Sequence, residues 1–534
     1  MPRKKRTTLL NKITALKLDY VLLFVLMSLY YGRLQWNNFI GDPDGFYHAK
    51  ITTFLGQGTL LKSLPWMQFT TLKEHYTDHH LLYHLLLLPF TYITDNALLA
   101  VKIATVLFAV IMILVFYWLL KQFKIVWPFV FALLFISLEA VSFRLALVKA
   151  NSLSLLVIWL LIYAMFRQKT WLMALLGFVF VWLYGGWALS IIIFFIYFFS
   201  EKIYERLNTN KLKLFWSKVV HTFNFKKGSA KNHRIFLGLI LGLLAGLVIN
   251  PYWPHNLYFY YQQIIQIGVI NLGGQLQVGG EWYGTSFMHI ISSLPHIFVL
   301  ASLLILMLFI NYQKISKKTW FSFLLSFVFL LLTVKSRRYI EYFSPFLLLF
   351  TACAFTDVKS MVNWKKIKKF WSNNPTYLKV YLGLAGTLFT ILILPVIFTK
   401  TWDVAIPQNW TLEKFRPGLL WLKQNTPADT LIFHGDWDEW PILFYHNDHN
   451  RYIVGLDPTF MYNFDANLQQ EHTDITAGKI KGIVSEKIKK DFGADYVFIE
   501  KKEHAAFGNN LDMDSFATLV YEDEEVAIYH LISP

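Results

Sequence analysis

Asp42-Pro43-Asp44-Gly45-Phe46-Tyr47-His48 stands shortly beyond the first apolar span of this chain, Leu18 to Tyr31. Two carboxylates and an imidazole at the edge of a membrane helix are costly to keep unless they pair or do chemistry. Five further charged or polar clusters follow: Asp78-His79-His80, Arg144 to Lys149, Gly280-Glu281-Trp282, Arg337-Arg338 and Asp436-Trp437-Asp438-Glu439-Trp440. Threaded through alternating crossings, all six face the same side of a membrane. The pattern is that of a polar site built on one face of a helical membrane protein.

Composition agrees with that class. The 534 residues are 55% hydrophobic and 18% aromatic, with a mean hydropathy of +0.41. A soluble chain of this size would have too little polar surface to cover itself, so the repeated apolar runs predict a polytopic α-helical membrane protein. Net charge is +16, yet from Lys400 onward 12 basic residues meet 22 acidic ones, which leaves the preceding part near +26. Basic cytoplasmic loops lying against anionic lipid, with an acidic domain opposite, account for this asymmetry; nucleic acid is not implied. Cys353 is the single cysteine, which excludes a disulfide framework and a thiolate metal site.

The basic run Pro2-Arg3-Lys4-Lys5-Arg6 ahead of the first span predicts a retained signal anchor with a cytoplasmic N-terminus. Residues 33–80 are then external. Further spans are expected near 81–96 (short), 97–120, 126–142, 152–166, 171–184, 187–200, 235–252, 289–311, 319–333, 340–356 and 379–399. The basic stretches 167–169, 201–234, 314–318 and 359–379 all fall inside if Tyr184-Gly185-Gly186-Trp187 is an external turn. About eleven crossings result, with an external C-terminus. From Lys400 the pattern becomes soluble α/β, with a helix over 411–424 and strands at 430–434, 452–455, 496–500, 517–521 and 526–531. The expected division is a multi-helix transmembrane domain, 1–399, and an external α/β domain, 400–534.

The first external loop carries Asp42, Asp44 and His48, then Asp78, His79 and His80. Carboxylates with imidazoles suit a hard or borderline divalent cation, Mg²⁺ or Mn²⁺; the Asp-Pro-Asp-Gly run equally suits a plain turn and helix N-cap. Glu281 lies beside glycines within a loop spanning 250–289, either a hinge that closes over a substrate or an ordinary amphipathic loop. Arg337-Arg338 are phosphate forks or snorkelling side chains; Arg144 and Lys149 read as an interfacial pair. Asp436-Trp437-Asp438-Glu439-Trp440 offers flat rings and carboxylates to a sugar or peptide, or packs its domain onto the membrane part. P-loop, GxSxG, CxxC and dinucleotide fingerprints are all missing from the sequence.

In layout and in short segments the chain resembles the GT-C class of membrane glycosyltransferases, most of all the catalytic subunit of oligosaccharyltransferases. Asp44-Gly45-Phe46-Tyr47-His48-Ala49-Lys50 is similar to that family's Asp-x-Tyr/Phe-Tyr-x-x-Arg segment, which implies Asp44 as a metal-binding and catalytic acid. The Gly280-Glu281 loop resembles the family's flexible loop with its catalytic Glu, and Arg337 or Arg338 its lipid-phosphate arginine. Trp437-Asp438 resembles part of the acceptor-binding Trp-Trp-Asp-x-Gly, without the leading Trp or the Gly. The family's second Asp-x-Asp/His element follows a later pair of helices, where this chain has Glu139 and Arg144; Asp78-x-His80 stands in the first loop instead.

The resemblance implies a metal-dependent transferase that uses a polyprenyl-phosphate or pyrophosphate sugar donor on the external face. Asp44, Asp78, His79 and His80 would hold Mn²⁺ or Mg²⁺, and Glu281 with Asp42 would orient and deprotonate the acceptor. Arg337 and Arg338 would neutralise the donor phosphate. Trp437, Asp438, Glu439 and Trp440 would bind the acceptor, which is a protein asparagine, or a lipid or surface polysaccharide. A transporter or flippase of lipid-linked glycans is the reading from another class. It calls for ionisable residues near the bilayer midplane, often with internal repeats, and no repeat is visible.

Overall fold

Long runs of Leu, Ile, Val and Phe with few charges can satisfy their backbone only as helices in an apolar medium. The computed structural model, which describes residues 17–208, 230–310, 312–362, 369, 372–373 and 375–532, follows that rule up to residue 402. The basic N-terminal run, most of the 201–234 loop and part of 359–379 lie outside the described residues. Among those described, five helices are long and apolar enough to cross a membrane: Ala97–Gln122, Lys231–Val248, Lys317–Lys335, Arg337–Met361 and Thr376–Trp402. Two bent pairs, Pro128–Ser137 with Glu139–Ala146 and Phe287–Ser293 with Pro295–Ile310, bring the number to seven. The larger number expected from hydropathy includes shorter helices such as Leu81–Thr91, with 11 residues, and Asn151–Phe166, with 16. A straight crossing takes about 20 residues. The build is that of a multi-pass membrane protein.

Helices Thr170–Leu183 and Ala230–Val248 approach each other through glycine. A Cβ on Gly242 would lie 2.0 Å from the Ala174 carbonyl oxygen, and one on Gly238 would lie 2.6 Å from that of Thr170. Gly238, Gly242 and Gly246 recur every fourth residue and so share a face.

Beyond residue 402 the chain forms a five-stranded sheet in the order β2-β1-β3-β5-β4. The strands are β1 (Leu431–His434), β2 (Arg451–Tyr452), β3 (Tyr496–Glu500), β4 (Ala517–Glu522) and β5 (Val526–Leu531). β1 pairs in parallel with β2 and β3, whereas β5 runs antiparallel to β3 and β4. The helix expected over 411–424 begins at Arg416 with proline in its first turn, where the missing N–H is harmless. β2 covers only Arg451–Tyr452, short of the expected 452–455, and at Gly455 the chain passes Trp440 so closely that a Cβ would sit 2.4 Å from the indole.

The sheet is bonded to the loop that follows helix Asp44–Gly56. Gln68 N–H donates to Tyr452 O at 2.9 Å, Phe69 N–H to Ile453 O at 3.1 Å, and Tyr452 N–H to Trp66 O at 3.0 Å. A second seam joins Ile40 N–H to Trp410 O at 2.8 Å and Leu412 N–H to Asn38 O at 3.0 Å. Below it, the buried Lys102 ammonium donates to Asn37 O at 2.6 Å and Phe39 O at 2.8 Å. Helix Asp44–Gly56 packs against helix Trp440–His446, with Phe46 edge-on to Tyr445 at 5.6 Å.

A branched side chain at Gly242 must push two helices apart, at a cost of about 1–3 kcal/mol. Gly242→Val is therefore expected to lower the unfolding midpoint in detergent. Gly386→Val, on a helix where nothing lies within 4 Å of the added Cβ, is expected to leave it unchanged.

Candidate active site

Asp42 shows that a turn and a charged site can be one structure. Its Oδ1 accepts the Asp44 N–H at 2.9 Å, closing the turn that starts helix Asp44–Gly56. Its Oδ2 lies 2.8 Å from Lys149 Nζ, and Asp44 Oδ2 lies 2.8 Å from the same nitrogen. Lys149 comes from the turn between helices Glu139–Ala146 and Asn151–Phe166, where its N–H donates to Leu147 O at 2.8 Å.

Glu281, on a short turn at Gly280–Trp282, is gripped by two guanidiniums. Arg144 and Arg338 each donate to it, and Arg144 Nε also donates to Glu341 at 2.8 Å. Burial alone would push the Glu281 carboxyl up, but Arg144 and Arg338 overcome this and hold it well below the usual carboxylate range. Arg338 further donates to Tyr184 Oη at 3.2 Å and lies over the Trp282 ring at 4.8 Å. The turn is fastened from both sides, by Asn271 Nδ2 to Trp282 O at 2.6 Å and by Ser336 Oγ to Glu281 O at 3.1 Å. The expected hinge is thus a pinned turn here, and Gly279 keeps an ordinary φ of −54°.

Asp42, Asp44, His79, His80, Lys149, Glu281, Arg338, Trp437 and Asp438 all line one cavity of about 340 Å³ between the bundle and the sheet domain. The His79 and His80 rings lie against each other, tilted by 41° with centroids 3.8 Å apart. Burial pushes His79 down to about 4 and His80 well below the usual histidine value, so both are neutral near pH 7. Tyr184, His79, His80, Trp282 and Arg338 also line a neighbouring, mostly apolar groove of about 350 Å³.

Four residues expected at the site do not line this cavity. Asp78 is buried behind the cavity wall, where it accepts from His84 at 2.7 Å; His84 in turn meets His48 at 2.7 Å. Arg337 lines an adjoining cavity of about 390 Å³ with Glu139, His289 and Lys400, and Glu281 and Arg338 belong to the walls of both. Glu439 is buried and caps the N–H groups of Gly435 and Asp436 at 3.1 and 3.2 Å. Trp440 is wholly buried, stacked on Phe444 at 4.7 Å. Lys149, Tyr184 and Asp457, to which no role in the site was assigned from the sequence, also line the cavity. Of these, Lys149 belongs to the Arg144 to Lys149 cluster, but nothing in its spacing names the two aspartates of the first loop as its partners.

A metal ion would need a different donor set. Among the described residues no three His, Cys, Asp or Glu side chains come together in a group that could hold one. Asp78 is engaged by His84, and the Asp42–Asp44 pair already holds an ammonium. The residues present do not fit the expected Mn²⁺ or Mg²⁺ site.

No family model and no curated protein matches the sequence. Solved structures match in fold. The oligosaccharyltransferase of Archaeoglobus fulgidus aligns with a TM-score of 0.58 at 12% identity, over 97% of this chain and 75% of its own. ArnT from Cupriavidus metallidurans, bound to undecaprenyl phosphate, gives 0.54 at 12% identity, over 96% and 98%. The arabinofuranosyltransferase AftD from Mycobacteria gives 0.55 at 11% identity, over 96% of this chain and 40% of its own. These are GT-C glycosyltransferases, and the fold of this chain is of the GT-C class.

Beside the cavity, burial with Asp436 and Glu439 pushes Asp438 up to about 8. Burial works to lower His504, but Glu439, 3.4 Å away, raises it to about 9. The stability that His504 contributes is complete below its unfolded value of about 6.5 and is lost as pH rises through 9. Asp438 acts in the same direction: the folded state prefers its neutral form, so stability falls as pH climbs from about 4 to about 8. The unfolding midpoint of the detergent-solubilised protein is expected to drop between pH 6 and 9, and His504→Gln is expected to flatten the upper part of that slope.

Proposed function

We propose that the protein is a glycosyltransferase that moves a sugar or oligosaccharide from a polyprenyl-phosphate or pyrophosphate donor to an acceptor on the external membrane face. Residues 400–534 would then be an external domain closing over the site. The observation that carries this reading is the junction of a polar cavity with an apolar groove, with His79, His80, Tyr184, Trp282 and Arg338 common to both. A lipid-linked sugar phosphate has the matching shape. Its prenyl chain lies along Ile191, Ile192, Ile264 and Val269, and its phosphate meets Arg338 and the neutral imidazoles of His79 and His80. The sugar then extends toward Asp44. The fold likeness to ArnT bound to undecaprenyl phosphate supports such a donor.

Transfer forms a bond from an acceptor oxygen or nitrogen to the anomeric carbon while the bond from that carbon to the phosphate oxygen breaks. The electron pair leaves on the phosphate. The acceptor's proton passes to Asp44, whose carboxylate remains one-third exposed (34%) to the cavity. Glu281 is a poor base because two guanidiniums stabilise its charge; its work is to hold Arg338 toward the phosphate and Arg144 behind it. Trp437 and Asp438 face the remaining side, where the acceptor enters.

An oligosaccharyltransferase structure holds a tethered acceptor peptide with an NVT sequon, which supports asparagine as acceptor. A lipid or surface-glycan acceptor is favoured by a different observation. With Glu439 and Trp440 withdrawn into the domain, the acidic-aromatic segment offers only Trp437 and Asp438 to the cavity.

The test uses purified protein, polyprenyl-linked sugars and a panel of sequon peptides, lipids and glycans. Wild-type transfer is expected, with Asp44→Asn slower by about 10²–10⁴-fold and donor binding retained. Undiminished transfer by Asp44→Asn would remove the proposed base. Movement of donor lipid across vesicles without any transfer would establish a flippase instead.

A further inference from the structure

Asp44, expected to hold a divalent ion, already shares with Asp42 a cation that belongs to the chain. Lys149 Nζ lies 2.8 Å from both Asp42 Oδ2 and Asp44 Oδ2, and its side chain is only 13% exposed. The short turn that carries it is closed by its own N–H bond to Leu147. Of the other residues of the expected ion set, Asp78 is committed to His84 behind the cavity wall, and among the described residues no three His, Cys, Asp or Glu side chains form a group that could hold an ion.

We infer that Lys149 is the resident cation of this site and replaces a divalent ion between Asp42, Asp44 and the donor phosphate. The inference rests on the transferase reading above. A cation in that position has two tasks: to cancel the repulsion between two adjacent carboxylates, and to draw negative charge onto the leaving phosphate oxygen. An ammonium carries three N–H donors. Two serve Asp42 and Asp44, and the third is available to a phosphate oxygen in the cavity that Lys149 lines. A fixed ammonium also cannot be chelated away, so sugar transfer by this protein needs no added metal.

Two measurements on the purified full-length protein test this. Mn²⁺ binding is followed by electron paramagnetic resonance, which needs no turnover. The wild-type protein is expected to show no saturable site, whereas a saturable site that Asp44→Asn abolishes would overturn the inference. Transfer is then measured after exhaustive chelation. Wild-type activity is expected to stay within twofold, Lys149→Gln to lose at least 100-fold, and Lys149→Arg to retain more than Lys149→Gln. Unfolding midpoints of both variants separate loss of activity from loss of fold. Chelator-sensitive transfer restored by Mn²⁺, or full activity of folded Lys149→Gln, would overturn it. If the wild type transfers nothing with or without Mn²⁺, the transferase reading fails, and the resonance measurement alone decides whether an ion binds at Asp44.

Discussion

Charge withdrawn from water at the ends of apolar helices has to be matched by opposite charge close by, and that constraint organises the rim of this bundle. Lys149 sits between Asp42 and Asp44; Glu281 sits between Arg144 and Arg338; Arg144 reaches on to Glu341. Each pair joins segments far apart in the chain, so the cavity wall is tied across the first loop, the 139–151 region, the 280s turn and the helix that starts near Arg337. A buried ion pair stripped of one member leaves an uncompensated charge. The site and the local fold therefore rest on the same contacts.

Backbone pairing supplies the second tie. Residues 66–69 lie along β2 like an added edge strand, and Asn38–Ile40 pairs with the segment around Trp410. The first loop thus belongs to both the helical body and the sheet domain. This is why Asp42 and Asp44 face Trp437 and Asp438 across one cavity. Trp437 Nε1 donates to Gln277 O at 3.1 Å, which brings the Glu281 loop to the same wall.

Much of this was legible in the residues. β1, β3 and β5 fall where alternation and β-branched residues place them, and Asp44, Glu281, Arg338 and Asp438 line one cavity. What could not be read was partnership. Asp78 and His84 are six residues apart, and nothing in that spacing says that they bond to each other rather than to an ion. Lys149 looks like any interfacial lysine until the two aspartates arrive from the first loop. Trp440, beside Asp438 in an acidic-aromatic run, points into the core because helix Trp440–His446 turns it there. Charge pairing and side-chain direction of this kind are tertiary properties, set after the local elements exist.

Helix Thr376–Trp402 has no buried residue along its whole length. Its contacts with the rest of the molecule gather at the C-terminal end, where Lys400 pairs with Glu139 at 2.7 Å, Tyr30 donates to Thr401 O at 3.2 Å and Arg33 lies over Trp402 at 4.3 Å. The helix is a lanyard: it keeps the sheet domain on the same chain while the loop–sheet seams hold that domain in position.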